Sequence, residues 1–221
     1  MTDAEEFADR LLAWFKLNRR SFLWRQSHNP FHILVAEVLL KKTRAENVDK
    51  VIGQFLARYG TPEDIQGADI EELTKDLVPL GLYNQRAKHL KELSCVLIAD
   101  YGGRVPNDRD KLISLPGIGD YTANAVLCFA YGDSLPIIDT NVVRIFNRIL
   151  GLPAGLPQAK KRELVSKTAD RLIVSNKTEA KDINFALLDL GAKVCKPVNP
   201  SHGQCPVSHL CLCFQTSIAK H

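Results

Sequence analysis

The chain is predicted to be all-α, folded into two helical lobes. Three observations predict it. Apolar residues recur three and four positions apart along most of the chain. No stretch alternates apolar with polar at period two, so little or no sheet is expected. Prolines and glycines fall where helices start and stop, as at Pro30, Gly60 and Pro62.

Each element follows from its own residues. Phe7, Leu11, Leu12 and Phe15 share one face of a first helix, which Asn18-Arg19-Arg20 ends. Pro30 opens a second, and its Ile33, Leu34 and Val38 belong to a largely buried stretch running through Leu40. Val48, Val51, Ile52, Phe55, Leu56 and Tyr59 stripe a third helix, closed by Gly60. Thr61-Pro62-Glu63-Asp64 opens a short one, with a capping hydroxyl, proline at the first position and acids in the first turn. A helix over about residues 84–99 precedes a loop at 101–106. Two short apolar helices flank Leu115-Pro116-Gly117-Ile118-Gly119, and further helices are expected near 140–150, 159–174 and 179–191. Boundaries near Trp24 and at 132–136 divide the chain into a six-helix domain over 24–132 and a helical domain over 133–221 that packs with 1–23.

Composition narrows the function class. The 221 residues are 45% hydrophobic and 24% charged, which excludes disordered, collagenous and low-complexity chains. No apolar run approaches the roughly 20 residues of a bilayer helix. The acidic start, Met1-Thr2-Asp3-Ala4-Glu5-Glu6, lacks the apolar core of a signal peptide, so a cytoplasmic protein is expected. The formal net charge is +4, and the excess lies from Asp133 on, where twelve basic residues face seven acidic ones. That is consistent with a surface for a polyanion, and equally with a solvated helical face. Cys95 and Cys128 sit alone in apolar helical patterns and are expected to be buried structural thiols. Cys195, Cys205, Cys211 and Cys213 crowd into nineteen residues, which in a cytoplasmic chain argues for metal before disulfide.

The sharpest local signal is Leu115-Pro116-Gly117-Ile118-Gly119-Asp120-Tyr121-Thr122-Ala123. Two glycines around one aliphatic residue permit a tight turn between helices, and the second helix then offers free backbone N–H groups to a phosphate. A plain αα-corner is the competing reading. Tyr131-Gly132 then leads to Pro136-Ile137-Ile138-Asp139-Thr140-Asn141.

These residues, with Trp24-Arg25, Glu37, Gly81-Leu82-Tyr83-Asn84-Gln85-Arg86-Ala87 and the cysteine-rich tail, resemble the helix-hairpin-helix superfamily of DNA glycosylases. That superfamily includes endonuclease III, the adenine DNA glycosylase and the mismatch thymine glycosylase. The resemblance implies a helix-hairpin-helix in the 24–132 domain and a metal-cluster loop at the C-terminal end. It implies a monomer on double-stranded DNA holding a mispaired or damaged base, with no membrane partner.

The resemblance also distributes roles. Asp139 takes the place of the carboxylate that stabilises the oxocarbenium-like sugar, and by its residues alone it is also a good helix N-cap. Tyr121 stands where lyases of the family carry a Schiff-base lysine, so water is the expected nucleophile and an abasic site the product. A buried structural tyrosine is the plainer alternative. Lys41 and Lys42 leave room for adventitious lyase chemistry. Glu37, in an otherwise apolar helix, either binds the flipped base or is a core acid satisfied by a partner such as Arg25. Lys42 is the candidate to fill the vacated stack, with Gln85 and Arg86 near the opposite strand, and Gly117, Gly119, Thr122 and Asn141 complete the expected DNA contacts. A surface lysine pair is the competing reading at 41–42.

Substrate choice follows from Leu40-Lys41-Lys42-Thr43, closer to the Arg-Arg-Thr of the mismatch thymine enzyme than to the Leu-Gln-Gln-Thr of adenine glycosylases. Only ten residues follow Cys211, so the domain with which adenine glycosylases sense oxidised guanine is expected to be absent. Thymine or uracil opposite guanine is the favoured target. An adenine glycosylase and a non-catalytic DNA-binding module are the alternatives.

In the tail, Cys195-x6-His202-x2-Cys205-x5-Cys211 resembles the family's ligand spacing for a [4Fe–4S] cluster, with His202 in the second place where relatives have cysteine. Imidazole ligates iron in Rieske centres. Cys213 in place of His202, or zinc in place of iron, are the competing readings. The loop is expected to turn Lys193 and Lys196 toward phosphate, with Arg144 packed nearby.

Overall fold

The structure, a computed structural model, describes residues 3–218. They form α1 (Asp3–Asn18), α2 (Pro30–Leu40), α3 (Ala45–Arg58), α4 (Pro62–Gly67), α5 (Ile70–Leu77), α6 (Tyr83–Tyr101), α7 (Arg109–Ser114), α8 (Asp120–Val126), α9 (Thr140–Ile149), α10 (Gln158–Ser175), α11 (Ala180–Lys193) and α12 (Leu212–Ile218). Short 3-10 turns and one π turn, Leu127–Tyr131, link them, and no strand occurs among the described residues. The chain divides into two compact units. One is Ser21–Asp133; the other joins the segment up to Arg20 to that from Ser134 on.

Caps explain most helix starts. Asn29 accepts from the N–H groups of Phe31 and His32 ahead of α2, with Pro30 at the first position. Thr61 and Asp64 form a reciprocal capping box on α4. Asp69, Asp108 and Asp139 cap α5, α7 and α9. The expected six helices of the first domain are seven. Asp69-capped α5, only eight residues long, directly follows another short helix, and two turns are too few for apolar spacing to stand out.

Within Ser21–Asp133, α2 is the central element, buried on nearly every side and packed against α3, α6 and α8. Fully buried leucines such as Leu34 and Leu39 each contribute about 1.5–3 kcal/mol. Helix α6 lies against α4 and α5, and α7 against α8. Cys128 is buried as expected, but Cys95 is exposed: it falls on the outer side of α6, between inward-facing Leu93 and Leu97.

In the other unit α1 packs on α10 and α11, and α9 on α10, α11 and α12. Phe7 stacks on Phe146 with ring centroids 6.0 Å apart. Asp189, wholly buried on α11, accepts from Arg20 Nε at 2.6 Å and from the Arg20 backbone N–H at 2.8 Å, which pins the chain leaving α1. No described helix is long and apolar enough to cross a membrane.

Candidate functional site

In Ser21–Asp133 the residues singled out lie on three loops, 41–44 after α2, 81–82 before α6 and the hairpin 115–119 between α7 and α8, and on the helices beside them, with Glu37 on α2, Gln85 and Arg86 on α6, and Tyr121 and Thr122 on α8. The hairpin turns at Gly117, whose φ of +66° is open to glycine at little cost. A Cβ there would lie 2.4 Å from His89 Nε2. His89 Nε2 donates to Pro116 O at 2.7 Å, and Lys41 Nζ donates to Gly117 O at 2.5 Å. The carbonyls of the turn are thus held inward by α6 and by the end of α2. Leu115 and Ile118 are buried, and Gly119 caps α8 without a side-chain partner.

Glu37 is 4% exposed on α2. Burial pushes the Lys41 ammonium below its ordinary pKa, with Arg86 adding to that shift and Glu37 opposing it. Tyr121, half-buried in the first turn of α8, carries no amine. Lys42 and Gln85 are exposed, as a DNA contact requires.

Thr122 is 2% exposed, and its hydroxyl sits on the buried side of α8 beside Ala123, so any phosphate contact there falls to the backbone N–H groups that open the helix. The expected contact by Arg86 needs correction. Arg86 is 5% exposed and donates to four acceptors within its own unit: Gly81 O at 2.9 Å, Val38 O at 2.9 Å, Lys41 O at 2.7 Å and Thr43 Oγ1 at 2.6 Å. A buried guanidinium spent on protein acceptors is not available to phosphate. Sequence reasoning also missed Leu82, a 49% exposed leucine with φ +53°, and the left-handed φ of +56° at Lys42. Neither was legible, because positive φ at a bulky residue has no signature in sequence.

In the other unit an extended segment leads into Asp139. Asn184, buried on α11, holds it by donating to Leu135 O at 2.9 Å and accepting from Ile137 N–H at 2.9 Å. Sequence reasoning missed Asn184; its only signal is an amide inside the apolar run Ile183-Asn184-Phe185. Asp139 caps α9: Oδ1 accepts from Val142 N–H at 2.7 Å and Oδ2 from Asn141 Nδ2 at 2.6 Å. Asn141 Oδ1 accepts in turn from Arg144 Nη2 at 2.8 Å. The Asn141 side chain is thus held between Asp139 and Arg144. Arg144 continues to Gly191 O and to Cys195 O, each at 2.8 Å. A Cβ on Gly191 would meet Asn141 Cβ at 2.6 Å, so the approach of α9 to α11 that permits this chain of bonds requires glycine.

Cys195, His202, Cys205 and Cys211 line one cavity floored by Ile145, Val194 and Val207. Cys213 is exposed and absent from that lining. The His202 ring stacks on Phe214 at 4.4 Å. Arg148 holds the loop by donating to Cys195 Sγ at 3.3 Å, Lys196 O at 2.7 Å and Pro197 O at 2.8 Å. Burial pushes the Cys205 and Cys211 thiols up, which a coordinated metal would reverse by taking the thiolates. Among the described residues no three donors converge closely enough to hold a single ion. The four donors share the lining of that one cavity. Lys193, expected to face phosphate, donates to Asn18 O at 2.8 Å, while Lys196 is exposed.

A helical hairpin, an N-capping aspartate after an extended segment, and a cysteine–histidine loop define a class of DNA repair protein. The chain matches the family described as HhH-GPD superfamily base excision DNA repair protein over residues 35–172, and belongs to it. Residues 195–211 match the iron-sulfur binding domain of endonuclease III. A thymine/uracil-DNA glycosylase of Methanothermobacter thermautotrophicus is 38% identical over 209 residues, which cover 95% of this chain and 93% of that protein. An adenine DNA glycosylase of Mycolicibacterium smegmatis is 38% identical over 200 residues, covering 90% and 67%. The solved structure of a thermostable thymine-DNA glycosylase matches with a TM-score of 0.89 at 37% identity, over 96% of this chain and 97% of that one. The all-α fold and the family resemblance expected from sequence are borne out.

Proposed function

We propose that the chain is a monofunctional DNA glycosylase that removes thymine or uracil mispaired with guanine, acting as a monomer on double-stranded DNA. The observation that carries the reading is the Asp139 carboxylate. It is fixed by one donor on each oxygen, half-exposed, and retains a lone pair on each oxygen for a developing cation. As the bond between C1′ and the base nitrogen breaks, its electron pair leaves with the base. Positive charge spreads over C1′ and the ring oxygen, and Asp139 stabilises it. Water then adds to C1′ and loses a proton. Glu37 hydrogen-bonds or protonates the departing base. Tyr121 offers no amine for a Schiff base, so the strand stays intact at an abasic site. A wobble pair costs less to open than a matched one, which contributes to selectivity.

Cys195, His202, Cys205 and Cys211 fit a [4Fe–4S] cluster in their donor chemistry and shared cavity, and His202 rather than Cys213 completes the set. Bound there, the cluster would order the loop that Arg144 and Arg148 hold. Iron and sulfide bound to the purified protein, with absorbance at roughly 400 nm, are expected. His202→Ala should lower the iron content and Cys213→Ser should not; stoichiometric zinc in a colourless protein would reject the cluster.

End-labelled duplexes holding G·T, G·U, A·G or A·oxoguanine, incubated with protein and then alkali, test the activity. Alkali-dependent breaks at thymine and uracil are expected. Breaks at adenine would instead support an adenine glycosylase, breaks before alkali would reject the monofunctional reading, and intact strands throughout would leave a DNA-binding module.

A further inference from the structure

We propose that Arg86 is a positioning residue for base flipping: it fixes the two exposed side chains at 42 and 82 as one rigid edge. The proposal rests on the glycosylase reading above.

Lys42 and Leu82 are the two non-glycine residues with left-handed φ among the described residues of Ser21–Asp133, at +56° and +53°. Left to itself, neither side chain favours that conformation. Each sits next to a carbonyl held by the same guanidinium. Arg86 takes Lys41 O on the residue before Lys42 and Thr43 Oγ1 on the residue after it. It takes Gly81 O on the residue before Leu82, and Val38 O in the last turn of α2 anchors the fork. Thr43 Oγ1 also donates to Leu80 O at 3.2 Å, which closes the link between the two loops.

The two side chains so presented differ in chemistry. Lys42 is a cation and Leu82 an apolar wedge, both exposed. Apolar wedges part stacked bases, and a long side chain fills the gap that a flipped base leaves. A planar fork meeting acceptors from several directions does what a lysine cannot.

The test separates opening of the pair from chemistry. Single-turnover cleavage is measured on thymine opposite guanine and on thymine opposite a tetrahydrofuran abasic analogue, where no pair has to open. Arg86→Met should slow the first on the order of 100-fold and leave the second close to wild type. Arg86→Lys should not rescue the first. Asp139→Asn, which blocks chemistry, should abolish both. Equal losses on both substrates in a folded Arg86→Met protein would overturn the proposal. Should that variant not fold, Thr43→Val decides: a smaller loss confined to the paired thymine supports the proposal, and no difference between substrates overturns it. Wild-type protein that cuts neither duplex sinks the glycosylase reading itself, and the positioning role with it.

Discussion

Asparagine caps a helix about as well as aspartate does, so Asp139→Asn removes the charge while keeping the start of α9. Cleavage should fall on the order of 10²–10³-fold, with duplex affinity kept and unfolding free energy changed by less than about 1 kcal/mol. Single-turnover assays, binding titrations and denaturant melts check the three parts. Lys41 makes a prediction about pH. Its pKa lies below that of a free lysine because burial penalises the ammonium, so the unfolded chain holds this proton more tightly. Folding stability should therefore gain from Lys41 as pH rises from its depressed pKa toward the ordinary lysine range. Lys41→Met should flatten that rise in melting temperatures taken across alkaline pH. The family resemblance, not residue identity alone, makes Asp139, Lys42 and Arg86 candidates, and it places Arg86 near the opposite strand. Its inward role becomes visible only when the fold brings four acceptors around the guanidinium.

At the scale of elements, α9 links the cysteine loop to Asp139 through Arg144 and Asn141. Asn141→Ala should lower cleavage by roughly 10-fold, a single hydrogen bond's worth of orientation, and leave iron content unchanged. Arg144→Met should lower both, because it releases Cys195 O as well. Gly191→Ala pushes a methyl to 2.6 Å from Asn141 Cβ and should cost about 1–3 kcal/mol by thermal or urea unfolding. Helix starts were legible because their signals are local: Pro30, Thr61 and Asp139 are read within four residues. Short α5 and the outward turn of Cys95 were not, since two turns carry little periodicity and a thiol fits either side of a helix.

For the whole molecule, the two units place different demands on metal. Ser21–Asp133 builds its core around α2 and uses none of the loop's ligands. Stripping iron should therefore raise amide hydrogen exchange across residues 194–211 and α12 and leave α2, α3 and α6 protected. Uniform deprotection of all helices would contradict this division. The order of helices, the hairpin and the spacing of the loop ligands depend on neighbours along the chain, so the sequence alone determined the all-α class, the family resemblance and most candidate residues. Tertiary structure decided which polar groups are spent inside the protein. Arg86, Asn184 and Lys193 find acceptors 48 to 175 residues away, and a hydrogen bond across such separations exists only once packing has brought the acceptors together.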